Sequence, residues 1–315
     1  MSRAGLKVGA GVIAVALAAI VLLPSASAPI PATAAPAAQD VALTVFAAAS
    51  LTDALKEIGA AFEANTGIPV AFNFGASSQL RTQLEQGARA DVFASADQVQ
   101  MDRAREAGLI AGPDATFAAN RLVVITPADN PAGIRSAADL ALPGVRVVTA
   151  APEVPIGAYT QQMFEKMSQL EAFGADFQER ANANVVSREP NVRQVVAKIQ
   201  LGEGDAAVVY LSDVTPSAAP NLQTIAIPDD LNTIASYPIA LVAGAPRAEL
   251  GAAFIALVLS PVGQGILESW NFSPVGPTAT TPAGPAARPL VPSPSIGALA
   301  PVAPAADAGD PAPVR

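Results

Sequence analysis

Apolar and polar positions follow a rhythm that switches repeatedly between strand and helix along the middle of the chain. Leu43–Ala47 is a short apolar run and reads as a buried strand. Leu51, Leu55, Ile58 and Phe62 then recur at spacings of four, three and four, one face of a helix that Gly67 ends as a left-handed cap. Ser50, with Asp53 three residues on, gives that helix a start resembling a capping box. Ile68–Phe74 reads as a second strand, and Leu80 and Leu84 mark a short helix stopped at Gly87. Asp91–Ala94, Leu122–Thr126, Arg146–Thr149, Ala206–Tyr210, Leu222–Ile227 and Tyr237–Val242 are further strands. Helices are expected at Gln98–Ala107, Gly157–Met167, Asn191–Leu201, Ala248–Leu259 and Val262–Trp270, with a short helical piece at Ala137–Leu140. Strands alternating with helices predict an α/β fold on mostly parallel sheets. In such folds ligands bind beyond the carboxyl ends of the strands, where helix N-termini converge.

The rhythm is absent at both ends. Residues 1–40 and 274–315 are dominated by Ala, Pro, Ser and other small residues, so the folded reading covers about Val41–Ser273. Arg3 and Lys7 precede an uncharged stretch, Val8–Leu23, followed by Pro24 and small residues, which is the pattern of an export signal. Ala32 and Ala34 offer a cleavage site, with an uncleaved single-span anchor as the alternative. Both place the folded part outside the cytoplasm, on the periplasmic or extracytoplasmic side. The Pro/Ala-rich end, 274–315, reads as a disordered tail or semi-rigid linker.

Composition then removes chemistry. With no cysteine and no histidine, there can be no thiolate or imidazole ligand, no disulfide, and no serine–histidine or cysteine–histidine mechanism. No cofactor is expected. A net charge of −9 without a basic run argues against nucleic acid as a partner. An anion site on such a chain must rely on backbone N–H groups, hydroxyls and helix N-termini. Two turns offer that set. Phe46-Ala47-Ala48-Ala49-Ser50 and Phe74-Gly75-Ala76-Ser77-Ser78 each run from strand through small residues to a helix start, with a hydroxyl beside free N–H groups. Serines that merely cap their helices would explain either turn taken alone.

Four motifs in order carry a resemblance. Val45–Ala54 is similar to the opening of the molybdate-binding receptors of ABC transporters, and Phe74–Leu80 to their second motif. Ala90–Asp97 resembles a third, and Val208–Asp213 a fourth. The resemblance spans Val41–Val275. It implies a two-lobed periplasmic-binding-protein fold (type II) with molybdate or tungstate in the cleft, and delivery as a monomer to a membrane permease. It also implies the ligand set: hydroxyls of Ser50 and Ser77 from the first lobe, and the N–H groups of Ile156 and Val192 with the Tyr210 hydroxyl from the second. Local sequence agrees, because Ile156 and Val192 fall at expected helix starts and Tyr210 ends an apolar strand. Ile156 stands where many relatives have a small residue, and the tail has no counterpart in the common pattern. The lobes are expected at 41–121 plus 238–273 and at 122–237, with two crossings as a hinge.

Other readings are a receptor for sulfate or another tetrahedral oxyanion, an exported structural protein, and a carboxylate-dependent hydrolase. Glu153, Glu189 and Asp205 are scattered and read as solvated surface. Gly202-Glu203-Gly204 is too short for a nucleotide loop and reads as a turn.

Overall fold

The structure, a computed structural model, describes residues 42–275. The export-signal pattern and nearly all of the Pro/Ala-rich tail lie outside the described residues. Two five-stranded sheets organise the rest. The first contains β1 (Leu43–Ala48), β2 (Val70–Gly75), β3 (Val92–Ala94), β4 (Ile110–Asn120) and β10 (Ala235–Val242), in the order β2-β1-β3-β10-β4. The second contains β5 (Leu122–Pro127), β6 (Val147–Ala150), β7 (Val185–Glu189), β8 (Ala206–Tyr210) and β9 (Leu222–Ala226), in the order β7-β6-β8-β5-β9. Helices α1 (Thr52–Thr66), α2 (Ser77–Glu85), α3 (Gln98–Glu106), α7 (Ala248–Leu259) and α8 (Pro261–Ser269) accompany the first sheet. Helices α4 (Pro155–Ser168), α5 (Phe177–Ala183) and α6 (Val192–Gln200) accompany the second. This is a two-lobed α/β fold.

The apolar face expected of α1 is the face it buries. Leu55, Ile58 and Phe62 are almost wholly covered, and Phe62 meets Phe254 of α7 edge-on at 5.6 Å. Burial of each such side chain stabilises by about 1.5–3 kcal/mol. Gly67 closes the helix at φ 72°, a left-handed conformation that costs a glycine little.

The sheets are mixed rather than mostly parallel. Pairings β1–β2, β1–β3, β6–β7 and β6–β8 are parallel, whereas β10 runs antiparallel to β3 and β4, and β5 antiparallel to β8 and β9. The antiparallel members are those next to the crossings: the chain enters the second sheet at β5 and returns to the first at β10. Three elements have no counterpart in the sequence reading. Strand β4 carries Gly112 and Pro113, which break its pattern, and it is an edge strand, where proline is tolerated. Helix α5 has no side-chain cap, and β7 is another edge. Within β10, Pro238 sits at a register shift, the one kind of interior position its missing N–H allows.

The two crossings between sheets run side by side. Asn232, on the return crossing, accepts from Leu122 N–H at 3.0 Å and donates to Leu122 O at 2.9 Å. Arg121 on the outward crossing pairs with Asp229 on the return.

Candidate functional site

Small residues and helix starts meet between the carboxyl ends of the two sheets. Strand β1 ends at Ala48 and passes through a 3-10 turn, Ala49–Leu51, into α1. Strand β2 ends at Gly75, and Ala76 begins α2. From the second sheet, β6 leads to α4, whose first turn holds Pro155 and Ile156, and β7 leads to α6, which opens at Val192. These segments line one small pocket. Its lining includes Ser50, Ser77, Ile156, Val192 and Tyr210, all five residues singled out from sequence, together with alanines 48, 49, 76 and 96 and Gly75.

The five residues singled out each carry a hydrogen-bond donor. Ile156 and Val192 occupy first-turn helix positions, whose N–H groups have no intrahelical carbonyl. The Asn191 side chain caps α6 by accepting from Gln194 N–H, not from Val192 N–H, and Val192 lines the cavity. Gly157 lets the first turn of α4 sit against the loop behind it. A Cβ there would lie 2.1 Å from Ala151 O and 2.8 Å from Ala150 O. Ser77 is fully buried and its Oγ accepts from Ala96 N–H at 3.0 Å, which leaves its own hydrogen for the cavity. Tyr210 is fully buried at the end of β8, and its hydroxyl has no hydrogen-bond partner among the described residues. An orphaned buried hydroxyl costs about 1–3 kcal/mol, so its position against the cavity is the kind that a ligand resolves. The N-termini of α2, α4 and α6 add their partial positive charge. Burial pushes the Tyr210 and Tyr237 phenols well above their ordinary range, so both keep their hydrogens at neutral pH.

Ser50 and Asp53 do not form the expected cap. The residue capping α1 is Leu51, without a side-chain bond, and Ser50 Oγ lies 3.1 Å from the Tyr237 hydroxyl. Asp53 turns to Arg193, 2.8 Å away at the start of α6 on the other lobe. Arg193 also donates to Ala49 O at 3.2 Å and lies 3.3 Å from Asp213, which is fully buried. Burial pushes the Asp213 carboxyl up to about 6 against the pull of Arg193. The reading of Ser77 as a mere cap also fails, since α2 has no side-chain cap bond. Tyr237, Arg193 and Asp213 were missed from sequence. The Tyr237–Ser50 contact spans 187 positions and the Arg193–Asp53 pair 140, beyond any local spacing signal.

The carboxylates read as solvated surface divide. Asp205 is buried and accepts from Arg146 at 2.7 Å, and Glu189 is buried beside Ser187, because both sit where a strand meets its neighbour. Glu153 stays exposed. Among the described residues no group of acidic side chains is gathered as a metal site.

Two α/β lobes joined by two crossings, with one small pocket lined from both, define a receptor of the periplasmic-binding-protein type. A family model for bacterial extracellular solute-binding proteins matches residues 43–273. The molybdate-binding protein ModA of Mycobacterium tuberculosis is 40% identical over 232 residues, 73% of this chain and 84% of that protein. That of Escherichia coli is 30% identical over 239 residues, 73% and 88% of the respective chains. Among solved structures, the periplasmic molybdate-binding protein of Azotobacter vinelandii superposes with a TM-score of 0.64 at 20% identity, covering 74% of this chain and all of that one (100%). The sulfate-binding protein SubI of Mycobacterium tuberculosis gives 0.69 at 22% identity, covering 75% and 88%. These two share the fold. The chain belongs to the bacterial extracellular solute-binding protein family, whose members bind solutes for transport and are not enzymes.

Proposed function

We propose that this protein captures molybdate, or the nearly isosteric tungstate, outside the cytoplasm and passes it to the membrane permease of an ABC transporter. The observation that carries the reading is the Tyr210 hydroxyl, fully buried and unpartnered against a small cavity that Ser50 and Ser77 also line. A fully deprotonated tetrahedral dianion accepts from all five groups, Ser50, Ser77, Ile156, Val192 and Tyr210, and needs no cation or cofactor. The molybdate-binding names of the relatives at 40% and 30% identity support the same ligand. About residues 41–121 plus 235–273 form one lobe and 122–234 the other, the expected boundary at 237/238 moving back because β10 opens at Ala235 in the first sheet, and the lobes close on the anion as a monomer. The N-terminal 40 residues direct export and then are cleaved or remain as an anchor. Calorimetry against molybdate, tungstate, sulfate and phosphate tests the proposal. Tight binding of molybdate and tungstate with weaker sulfate is expected; a preference for sulfate or for none of the four refutes it.

A further inference from the structure

Immediately outside the inner pocket lies an open hollow lined from both lobes. Ser78, Gln79 and Thr82 of α2 line it, with Arg103 of α3 and, from the second lobe, Glu153. Ser78 follows Ser77 in the chain, and Glu153 precedes Val154, Pro155 and Ile156; Ser77 and those three residues line the inner pocket. The two spaces are therefore neighbours along both lobes. Two groups in the hollow are left without a protein partner. The Ser78 side chain is 7% exposed, and its hydroxyl has no hydrogen-bond partner among the described residues. The groups beside it are engaged: Thr82 Oγ1 donates to Ser78 O at 3.0 Å, and Ser77 Oγ takes the Ala96 N–H. A buried hydroxyl left unpaired costs stability, and a ligand is one thing that repays it. Arg103 is the second group. It is exposed and forms no ion pair among the described residues, whereas Arg81 in the same hollow is taken by Glu85 and by Gln100 Oε1 at 2.9 Å. Ser78 also sits in the first turn of α2, where the helix carries partial positive charge.

We propose that this hollow is a second, outer subsite for a tetrahedral oxyanion, in which Ser78 and Arg103 hold the anion before Ser77 takes it inward. The proposal rests on the anion-site reading above. A dianion approaching a chain of net charge −9 is repelled at long range, and an unpaired guanidinium at the mouth gives it one place to land. Ser78 then supplies a hydroxyl one residue away from the inner one. Glu153 is the one carboxylate among the residues lining this hollow, and it belongs to the second lobe. As that lobe closes, the carboxylate repels the dianion and offers Arg103 a partner, so the outer subsite empties inward.

Stopped-flow mixing of the full chain with molybdate tests this in the wild type, Ser78→Ala, Arg103→Gln and Glu153→Gln. A filled outer subsite makes the observed association rate level off as molybdate rises, whereas attraction at a distance leaves it linear. Ser78→Ala is expected to raise the half-saturating concentration by about 10-fold, the loss of one hydrogen bond to a charged ligand, and Arg103→Gln by a similar factor. Release should be unchanged in both, because the inner pocket is intact. Glu153→Gln, which removes the repulsion, should lower the half-saturating concentration. Ser78→Ala should also keep or raise the melting temperature of the ligand-free protein, since it removes an unpaired buried hydroxyl; a serine that holds the fold together would lower it. Arg103→Gln, on an exposed position, carries the test if Ser78→Ala does not fold. Linear association in the wild type overturns the proposal, as does wild-type half-saturation in Arg103→Gln or a higher value in Glu153→Gln. An effect of Arg103→Gln with none from Ser78→Ala also overturns it, because that is steering without a subsite. Failure of the underlying reading looks different: the wild type does not bind molybdate at equilibrium, or Ser77→Ala leaves its affinity untouched.

Discussion

Replacing Arg193 with methionine tests whether closure of the lobes is held by one side chain. Arg193 follows the ligand-lining Val192 and reaches across the cleft to Asp53 Oδ2 at 2.8 Å, Ala49 O at 3.2 Å and Ser50 O at 3.5 Å. It also neutralises the buried Asp213, whose Oδ2 accepts from Tyr210 N–H at 3.3 Å. One guanidinium thus ties together three segments that line the cavity. The Asp53 contact is about one-third exposed on both sides, so solvent screening limits it to ~1 kcal/mol or less. The carbonyl contacts are charge-assisted, and water replaces them in part when the cleft opens, leaving ~1–2 kcal/mol. Together they favour the closed form by roughly 1–3 kcal/mol, a factor of about 5–150 in Kd. Because these contacts cross the cleft, they hold the ligand in rather than guide it in, and the loss should fall on the dissociation rate. Stopped-flow release of molybdate, with thermal unfolding of the ligand-free protein as control, is the assay. The expected result is release faster by that factor, beside a loss of ligand-free stability of its own because Asp213 is left buried without its partner. Arg193→Met with wild-type release would refute the clamp, and an effect confined to the association rate would refute the argument from closure.

Ser77→Ala is expected to weaken molybdate binding by about 1.5–3 kcal/mol, since it removes a bond to a charged ligand and strands Ala96 N–H; calorimetry showing wild-type affinity would remove Ser77 from the site, and the same measurement applies to Ser50→Ala. Gly157→Ala should lower both affinity and melting temperature, because a Cβ 2.1 Å from Ala151 O must push the first turn of α4 and the Ile156 N–H off the cavity; an unshifted melt with intact binding contradicts the packing. Asp213 has a folded-state carboxyl near 6 against an ordinary 3.8. The folded state therefore holds its proton more tightly, and this group's contribution to stability is full below about pH 4 and lost as pH rises through 6. That loss amounts to a few kcal/mol, on the order of 1.4 kcal/mol per pH unit, and Asp213→Asn should flatten this part of the stability profile. Chemical denaturation at intervals between pH 4 and 8 checks this, and parallel wild-type and variant curves would disprove it. A chain trimmed to about residues 41–274 should bind with full affinity, and loss of binding on trimming would show that the ends contribute to the site.

Local order in the sequence determined the helices with clear periodicity, the buried strands, the turns closed by Gly67 and Gly87, and the short strand-to-helix turns that present N–H groups. These features are legible because helix faces, caps and turn glycines depend on neighbours within a few positions. Four ordered motifs extended that reading to a receptor class and to five residues that line one cavity. Only the tertiary structure decided the rest. It set the strand directions, since a crossing between two sheets can enter either way and local pattern does not record which. It turned Ser50 from a helix cap into a cavity hydroxyl, because Tyr237 arrives from 187 positions away as its hydrogen-bond partner. Burial of Asp205 and Glu189 likewise depended on which strand lay beside them. Arg193, with nothing at local spacing to mark it, became the bridge between lobes because α6 begins opposite α1. A side chain's role in a cleft is set by what the opposite lobe brings to it, and that information is carried by packing between distant segments rather than by any stretch of the chain alone.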